Sequence, residues 1–311
     1  MLLQIVLLIG GLALVIFGAD WLVDGASGIA RRAGISEFVI GLTIVGFGTS
    51  CPELVVSLTG AFQGLADISI GNVVGSNIFN TLLILGLTSL IAPMAITRNN
   101  KMRDIPMVFG ITLLMILFGK FNNDISRLEG IIFLIIFAVY IWYCFKFTPR
   151  EEQSDNKEKQ LKLWQAIGLV IAGLAGLIIG GRLFVDSATR IAEELGVSQK
   201  FIAITILALG TSLPELATCV VAAAKHKGQL ALGNILGSNI FNILLILGAS
   251  AVVTPLNFAS MNWVDLGVLL LSTILLFTSC YVAKKDEIDR VDATLMLLCQ
   301  AGYMAWLFIS L

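Results

Sequence analysis

The second half of the sequence repeats motifs of the first half at a constant distance of 162 residues. Gly48-Thr-Ser-Cys-Pro-Glu-Leu54 is matched by Gly210-Thr-Ser-Leu-Pro-Glu-Leu216, and Gly75-Ser-Asn-Ile-Phe-Asn80 is matched by Gly237-Ser-Asn-Ile-Phe-Asn242. The spacing is the same for both motifs, so no insertion separates them in either copy. Any fold proposed for the chain must therefore contain two similar halves.

Long apolar stretches recur in both halves. The chain is 57% hydrophobic and only 13% charged, whereas about a quarter of a soluble domain is charged. A helix needs about 20 apolar residues to cross the hydrocarbon core of a bilayer. We predict an all-α membrane protein with ten spans in the lipid bilayer, at residues 2–23, 36–62, 68–92, 104–120, 128–147, 162–186, 198–224, 229–253, 262–283 and 289–310.

Each half contains five predicted spans, and an odd number of crossings makes the second copy enter the membrane from the opposite side. The predicted architecture is therefore ten transmembrane helices arranged as two inverted five-helix repeats. The first repeat is 1–147, the charged segment 148–161 is a cytoplasmic linker, and the second repeat is 162–311. Inverted repeats are typical of transporters with a site near the bilayer midplane, so we expect a transporter and not an enzyme.

The distribution of basic residues predicts the orientation of the chain. Most of the 20 Lys and Arg residues lie in the predicted linker and in loops on its side of the membrane, and such loops are usually cytoplasmic. We therefore expect both termini on the external side of the plasma membrane, or of the inner membrane if the cell is bacterial. The N-terminus has no basic region and reads as a retained first helix. The net charge of −1 gives no reason to expect nucleic acid as a partner.

Two glutamates, Glu53 and Glu215, lie inside predicted spans at matching positions of the repeat. A charged side chain near the bilayer centre costs roughly 3 kcal/mol, which a bound cation would offset. Each glutamate follows a proline, which has no N–H for the carbonyl four residues earlier. We expect freed backbone carbonyls near Gly46 and Ala208, where small residues let the chain kink.

Oxygen-bearing side chains accompany both glutamates at helical spacing. Thr49 and Ser50 precede Glu53 by four and three residues, which places their hydroxyls on the face of that carboxylate. Hard oxygen donors of this kind suit Ca²⁺ and Na⁺, and no cofactor is expected beyond these transported ions. The predicted ligands are Glu53, Glu215, Asn80, Asn242, Thr49, Ser50, Ser76, Thr211, Ser212, Ser238, Gly46 and Ala208.

Structural roles compete with this interpretation. Gly, Ser and Thr are common where membrane helices pack, and asparagines form hydrogen bonds between helices, a role that fits Asn77 and Asn239. We assign Asp20, Asp24 and Asp186 to polar helix ends. The repeated Asn72 and Asn234 mark helix starts and are left out of the predicted site.

Other functions remain open at this point. Paired buried glutamates could exchange Ca²⁺ for protons, and an acidic pair could form the filter of a cation channel. An intramembrane serine protease would need a general base, but the only histidine, His226, lies in a Lys-His-Lys loop.

The two motif pairs resemble the two α-repeats of the sodium/calcium exchanger superfamily, especially its compact prokaryotic members. The resemblance covers the whole chain and implies an antiporter that exchanges Na⁺ for Ca²⁺ by alternating access and functions as a monomer. It implies that Glu53 and Glu215 are shared ligands of both ions, that Asn80 and Asn242 lie beside them, and that the hydroxyls complete the sodium sites. It also implies that the first and sixth helices slide across a core of helices two, three, seven and eight.

The sequence departs from part of this superfamily at Asn242, where some relatives have Asp and the potassium-dependent branch uses that Asp for K⁺. Potassium dependence is therefore not expected. The chain also lacks the long regulatory loop of animal exchangers, so we expect no regulatory domain.

Overall fold

The computed structural model describes residues 2–121, 123–147, 161–196, 208–258, 261–281 and 286–310. Almost all of this part is helical. Most of the predicted linker and the first ten residues of the seventh predicted span lie outside the described residues. The described helices are α1 (Leu2–Ala33), α2 (Glu37–Thr49), α3 (Cys51–Phe62), α4 (Asp67–Ile91), α5 (Asn100–Phe121), α6 (Arg127–Phe147), α7 (Leu163–Glu194), α8 (Ala208–Thr211), α9 (Leu213–Ala224), α10 (Gly228–Val253), α11 (Trp263–Tyr281) and α12 (Arg290–Ser310).

Eight of the described helices are long and apolar enough to cross a membrane, and the bent pair of α2 and α3 forms a ninth candidate span. The described part of the seventh predicted span contains the short apolar helix α9. The prediction of an all-helical membrane protein is confirmed. The count of ten spans stays a prediction, because residues 197–207 are outside the described part of the chain.

The first and sixth helices are longer than predicted. They end at Ala33 and Glu194 instead of near residues 23 and 186. Asp20, Asp24 and Asp186 therefore lie within helices, and their assignment to helix ends was wrong. Hydropathy falls where charges begin, but a helix continues as long as its backbone bonds and packing persist, and the last turns of α1 still bury Ala26 and Ala30.

Helices α1 and α7 run antiparallel with their backbones in close contact. A Cβ atom on Gly18 would lie 2.8 Å from the Leu177 nitrogen, and one on Gly173 would lie 2.6 Å from the Leu22 nitrogen. Gly11 and Gly25 make equally close approaches one heptad away on either side of Gly18. Small residues at a helix interface allow such close packing in membranes, so the two helices form one paired unit.

The glutamate-bearing helices are interrupted in both halves. α2 and α3 are bent by 49° at Ser50, and α8 gives way to α9 at Ser212, whose backbone angles of −88° and 4° match the −84° and 5° of Ser50. Pro52 and Pro214 lie in the first turn of the new helix, where the missing N–H is tolerated. The break places the N-terminus of a helix inside the apolar layer.

The helices that follow each broken pair contain a π-helical segment. It spans Phe79–Ile84 in α4 and Phe241–Leu247 in α10. π-Helical turns are rare and occur frequently at functional sites. Asn80 and Asn242 are the second residues of these segments.

Four two-residue strands join the halves at two places. Met94–Ala95 (β1) pairs antiparallel with Glu287–Ile288 (β4), and Asp124–Ile125 (β2) pairs with Leu256–Asn257 (β3). Each small sheet contains one strand from each half, so the halves are interlocked and do not form separate units.

Candidate functional site

The two repeated glutamates are buried at helix N-termini. Glu53 and Glu215 are each only 1% exposed and lie in the first turns of α3 and α9. Unpaired N–H groups give a helix N-terminus a partial positive charge that favours carboxylates. The two carboxylates are close enough to interact electrostatically, and within the described residues no Lys or Arg forms a salt bridge with either one. The pair therefore brings two buried carboxyl groups together without a basic partner among the described residues.

The hydroxyl groups that precede each glutamate at the helix break lie beside the glutamate of the opposite half. The Ser50 hydroxyl donates to Glu215 Oε1 over 3.0 Å, and the Thr49 hydroxyl also lies near Glu215. Thr211 lies near Glu53 in the same way. The predicted grouping of Thr49 and Ser50 with Glu53 was wrong, because helical spacing does not hold across the 49° break at Ser50.

The serines of the following helices remain with the glutamate of their own half. Ser76 lies near Glu53, and Ser238 lies near Glu215. The Gly46 carbonyl accepts hydrogen bonds from the Ser50 N–H over 3.1 Å and from the Thr49 hydroxyl over 3.5 Å, so the prediction of a freed carbonyl at Gly46 was wrong. Ala208 begins α8, and its side chain is outside the described part of the chain. Both glutamates thus contact predicted ligands from both halves.

The two predicted ligand asparagines bond through their amide nitrogens to asparagines of the opposite half. Asn80 Nδ2 donates to Asn239 Oδ1 over 3.2 Å, and Asn242 Nδ2 donates to Asn77 Oδ1 over 2.9 Å. Both asparagines are 1% exposed. Asn77 and Asn239 therefore form the interhelical hydrogen bonds expected of them, and they bond to the predicted ligands.

Buried oxygen atoms without partners collect at this site. Unpaired buried polar atoms are rare in native proteins and call for an explanation. Carboxylate, amide and hydroxyl oxygens are the groups with which proteins hold Ca²⁺, so a cation would satisfy them and offset both charges. The oxygens without a hydrogen-bond partner among the described residues include Glu53 Oε2, Glu215 Oε2, Asn80 Oδ1, Asn242 Oδ1, Ser212 Oγ and Ser238 Oγ.

Two asparagines left out of the predicted site contact its backbone and hydroxyls. Asn72 Nδ2 donates to the Glu53 carbonyl over 3.2 Å, and Asn234 Oδ1 accepts from the Thr49 hydroxyl over 3.2 Å. Both lie in the second turn of their helices. The signal that could have identified them was their exact repetition at 162 residues, which a simple helix start does not require.

A cavity of about 1050 Å³ reaches the site between α3, α4, α7 and α12. Ser76 and Thr211 form part of its wall, so it contacts the ligands of Glu53. Its other polar lining comes from α4, α7 and α12. These residues are Asp67, Asn72, Arg182, Asp186, Gln300 and Tyr303.

Ion pairs connect the interior of α1 to the residues that follow α9. Lys225 Nζ lies 2.6 Å from Asp20 Oδ1 and 2.7 Å from Asp24 Oδ1, and Lys227 Nζ lies 3.6 Å from Asp24. Burial lowers the pKa of Lys225, but its bonds to Asp20 and Asp24 outweigh burial and raise that pKa above its ordinary value. The lysine therefore stays charged at neutral pH, and these ion pairs lie away from the cavity that Asp186 of α7 lines.

The sodium/calcium exchanger protein family model matches the chain twice, over residues 3–146 and 165–309. The chain belongs to the sodium/calcium exchanger family. Family membership places it among membrane antiporters.

Relatives and solved structures of this family cover nearly the whole chain. The chain is 40% identical to the putative antiporter CaxA of Alkalimonas amylolytica, with all of both chains covered. It is 33% identical to the sodium/calcium exchanger MaX1 of Methanosarcina acetivorans, with 97% of each covered. A structure of the sodium-calcium exchanger NCX_Mj soaked with 10 mM Na⁺ superposes with a TM-score of 0.87 at 34% identity, with 98% of each chain covered.

Proposed function

We propose that this exchanger moves Ca²⁺ across the membrane against Na⁺, and that both ions use the site between Glu53 and Glu215. The observation that carries the proposal is the set of buried, unpartnered oxygens around two carboxylates that have no described basic partner. A divalent cation neutralises both charges at once. Several Na⁺ ions can do the same by using the flanking hydroxyls, which explains how the two cargoes would compete.

The ten-helix inverted repeat is part of this proposal. The antiparallel packing of α1 and α7, which hold equivalent positions of the two halves, supports opposite orientations. Inverted halves can exchange conformations around a fixed central site. We assign residues 1–147 and 162–311 to the two repeats and 148–161 to the linker, with both termini external and the protein acting as a monomer in the plasma membrane.

Alternating access follows from the two ends of α1 and α7. The cavity beside Asp186 provides a path from one side to Ser76 and Thr211, while the Lys225 ion pairs close the other side. The charge distribution of the loops places the cavity outside and Lys225 inside. Sliding of the α1 and α7 unit would open one path and close the other.

The test is ⁴⁵Ca²⁺ uptake into proteoliposomes loaded with Na⁺ and diluted into Na⁺, K⁺ or choline medium, with and without a pH gradient. Uptake that requires the outward Na⁺ gradient supports Na⁺/Ca²⁺ exchange and is the expected result. Uptake driven only by the pH gradient would overturn it in favour of Ca²⁺/H⁺ exchange. Uptake that follows the Ca²⁺ gradient alone would identify a channel.

A further inference from the structure

Four asparagines form two hydrogen-bonded chains across the boundary between the halves. In the first chain Asn242 donates to Asn77 Oδ1, and Asn77 Nδ2 donates to the Asn239 carbonyl over 3.3 Å. In the second chain Asn80 donates to Asn239 Oδ1, and Asn239 Nδ2 donates to the Thr81 hydroxyl over 2.9 Å. Both chains are buried.

The direction of each chain fixes which atom of the ligand amide is hydrogen-bonded and which is left without a partner. An amide has the same shape either way round, so only its hydrogen bonds distinguish the oxygen from the nitrogen. The Asn77 nitrogen is committed to a backbone carbonyl, which can only accept. The side-chain oxygen of Asn77 must therefore face Asn242. Only the Asn242 amide nitrogen can donate a hydrogen bond to that oxygen. Asn242 Oδ1 is left pointing away, without a partner among the described residues.

Resting on the proposed function, we infer that Asn77 and Asn239 are positioning residues that hold the amide oxygens of Asn242 and Asn80 toward the cation. With either amide reversed, an NH₂ group would face the cation and repel it. Asn77 and Asn239 bond to the predicted ligands but are not themselves among the predicted cation ligands.

The two chains differ in their anchors. Asn77 is held by a backbone carbonyl, which cannot reverse its role, while Asn239 is held by the Thr81 hydroxyl, which can donate or accept. The position equivalent to Thr81 in the second half is Ile243. The Asn80 amide is therefore the easier of the two to reverse, and Thr81 controls its orientation.

The decisive experiment measures the Kd for Ca²⁺ of purified full-length protein from the shift of Tm with Ca²⁺ concentration. Thr81→Val keeps the shape and removes the acceptor, and we expect the Kd to rise at least about fivefold, the equivalent of about 1 kcal/mol. Thr81→Ser retains the hydroxyl and should restore the Kd. Thr112→Val is the matched control, because the buried Thr112 hydroxyl bonds to the Val108 carbonyl of its own helix.

A second variant removes the anchor of the other chain. Asn77→Leu should raise the Kd in the wild-type background but change it much less in an Asn242→Asp background, because a carboxyl has oxygen at both ends. A Kd within twofold of wild type in Thr81→Val, or an equal effect of Asn77→Leu in both backgrounds, would overturn the inference. Failure of the wild-type protein to bind Ca²⁺ would instead count against the proposed function.

Discussion

The two halves of the chain carry the same residues at the site but do not use them in the same way. Ser50 donates a hydrogen bond to Glu215, whereas its equivalent, Ser212, has no partner among the described residues. Away from the site, Lys225 binds Asp20 and Asp24, whereas the residue equivalent to Lys225 in the first half is Gln63. Equivalence in sequence is therefore not equivalence in contacts. A transporter whose halves exchange roles must differ between them in any single state.

We expect the largest effect from changing the glutamate that both halves share. Glu53→Gln and Glu215→Gln should each abolish Na⁺-driven Ca²⁺ uptake, because removing one partner of a buried ion pair costs about 3 to 5 kcal/mol, or more than about 100-fold in affinity. Ion-free Tm should not fall, since each change removes a buried charge. The exposed Glu287→Gln is the control. Uptake above a tenth of wild type in both glutamate variants would contradict the site.

A smaller effect should separate Ser50 from Ser212. Ser50→Ala removes a hydrogen bond to a charged group, which contributes about 1.5 to 3 kcal/mol. We expect it to lower the ion-free Tm and weaken binding about tenfold. Ser212→Ala breaks no described hydrogen bond and should weaken cation binding while leaving the ion-free Tm nearly unchanged. Thermal unfolding with and without Ca²⁺ measures both quantities, and equal losses of ion-free Tm would remove the distinction.

The smallest effect concerns the ion pairs that Lys225 forms with Asp20 and Asp24. Partly exposed pairs contribute about 0.2 to 1 kcal/mol each, so Lys225→Gln should shift the conformational equilibrium by about 1.4- to fivefold for each pair that it removes. Cys51 lines the cavity and reports on its opening. In a Cys299→Ser background, Lys225→Gln should slow labelling of Cys51 by an impermeant maleimide from outside, and Lys225→Arg should not.

The ion pairs of Lys225 with Asp20 and Asp24 form a latch that has no equivalent at Gln63, and building one there would sharpen this comparison. Gln63→Lys together with Arg182→Asp places a lysine and an aspartate at the positions equivalent to Lys225 and Asp20. This double variant should also slow labelling of Cys51.

Because the pKa of Lys225 is raised, the native latch is present at neutral pH and is lost only as pH rises through that pKa. Labelling should therefore not depend on Lys225 titration between pH 6 and 8. Faster labelling in Lys225→Gln would contradict the latch.

The repeat and the apolar spans were enough to predict a helical membrane protein and to single out both glutamates, because a charge repeated in an apolar span needs a function. They could not predict which hydroxyl meets which glutamate. That depends on the bend at Ser50 and on contacts between residues 165 positions apart, such as Ser50 and Glu215. Nor could they predict the ion pairs of Asp20 and Asp24, because Lys225 lies 201 residues from Asp24 in the chain.

The central claim is that one cation is held by oxygens from both halves. The most direct measurement is anomalous diffraction from crystals of this protein grown with Sr²⁺ as a stand-in for Ca²⁺. The account predicts a peak in direct contact with the carboxylates of Glu53 and Glu215 and with at least one of Asn80 Oδ1 and Asn242 Oδ1. A peak bound by one half alone, or only beside Asp67 and Asp186 in the cavity, would contradict it.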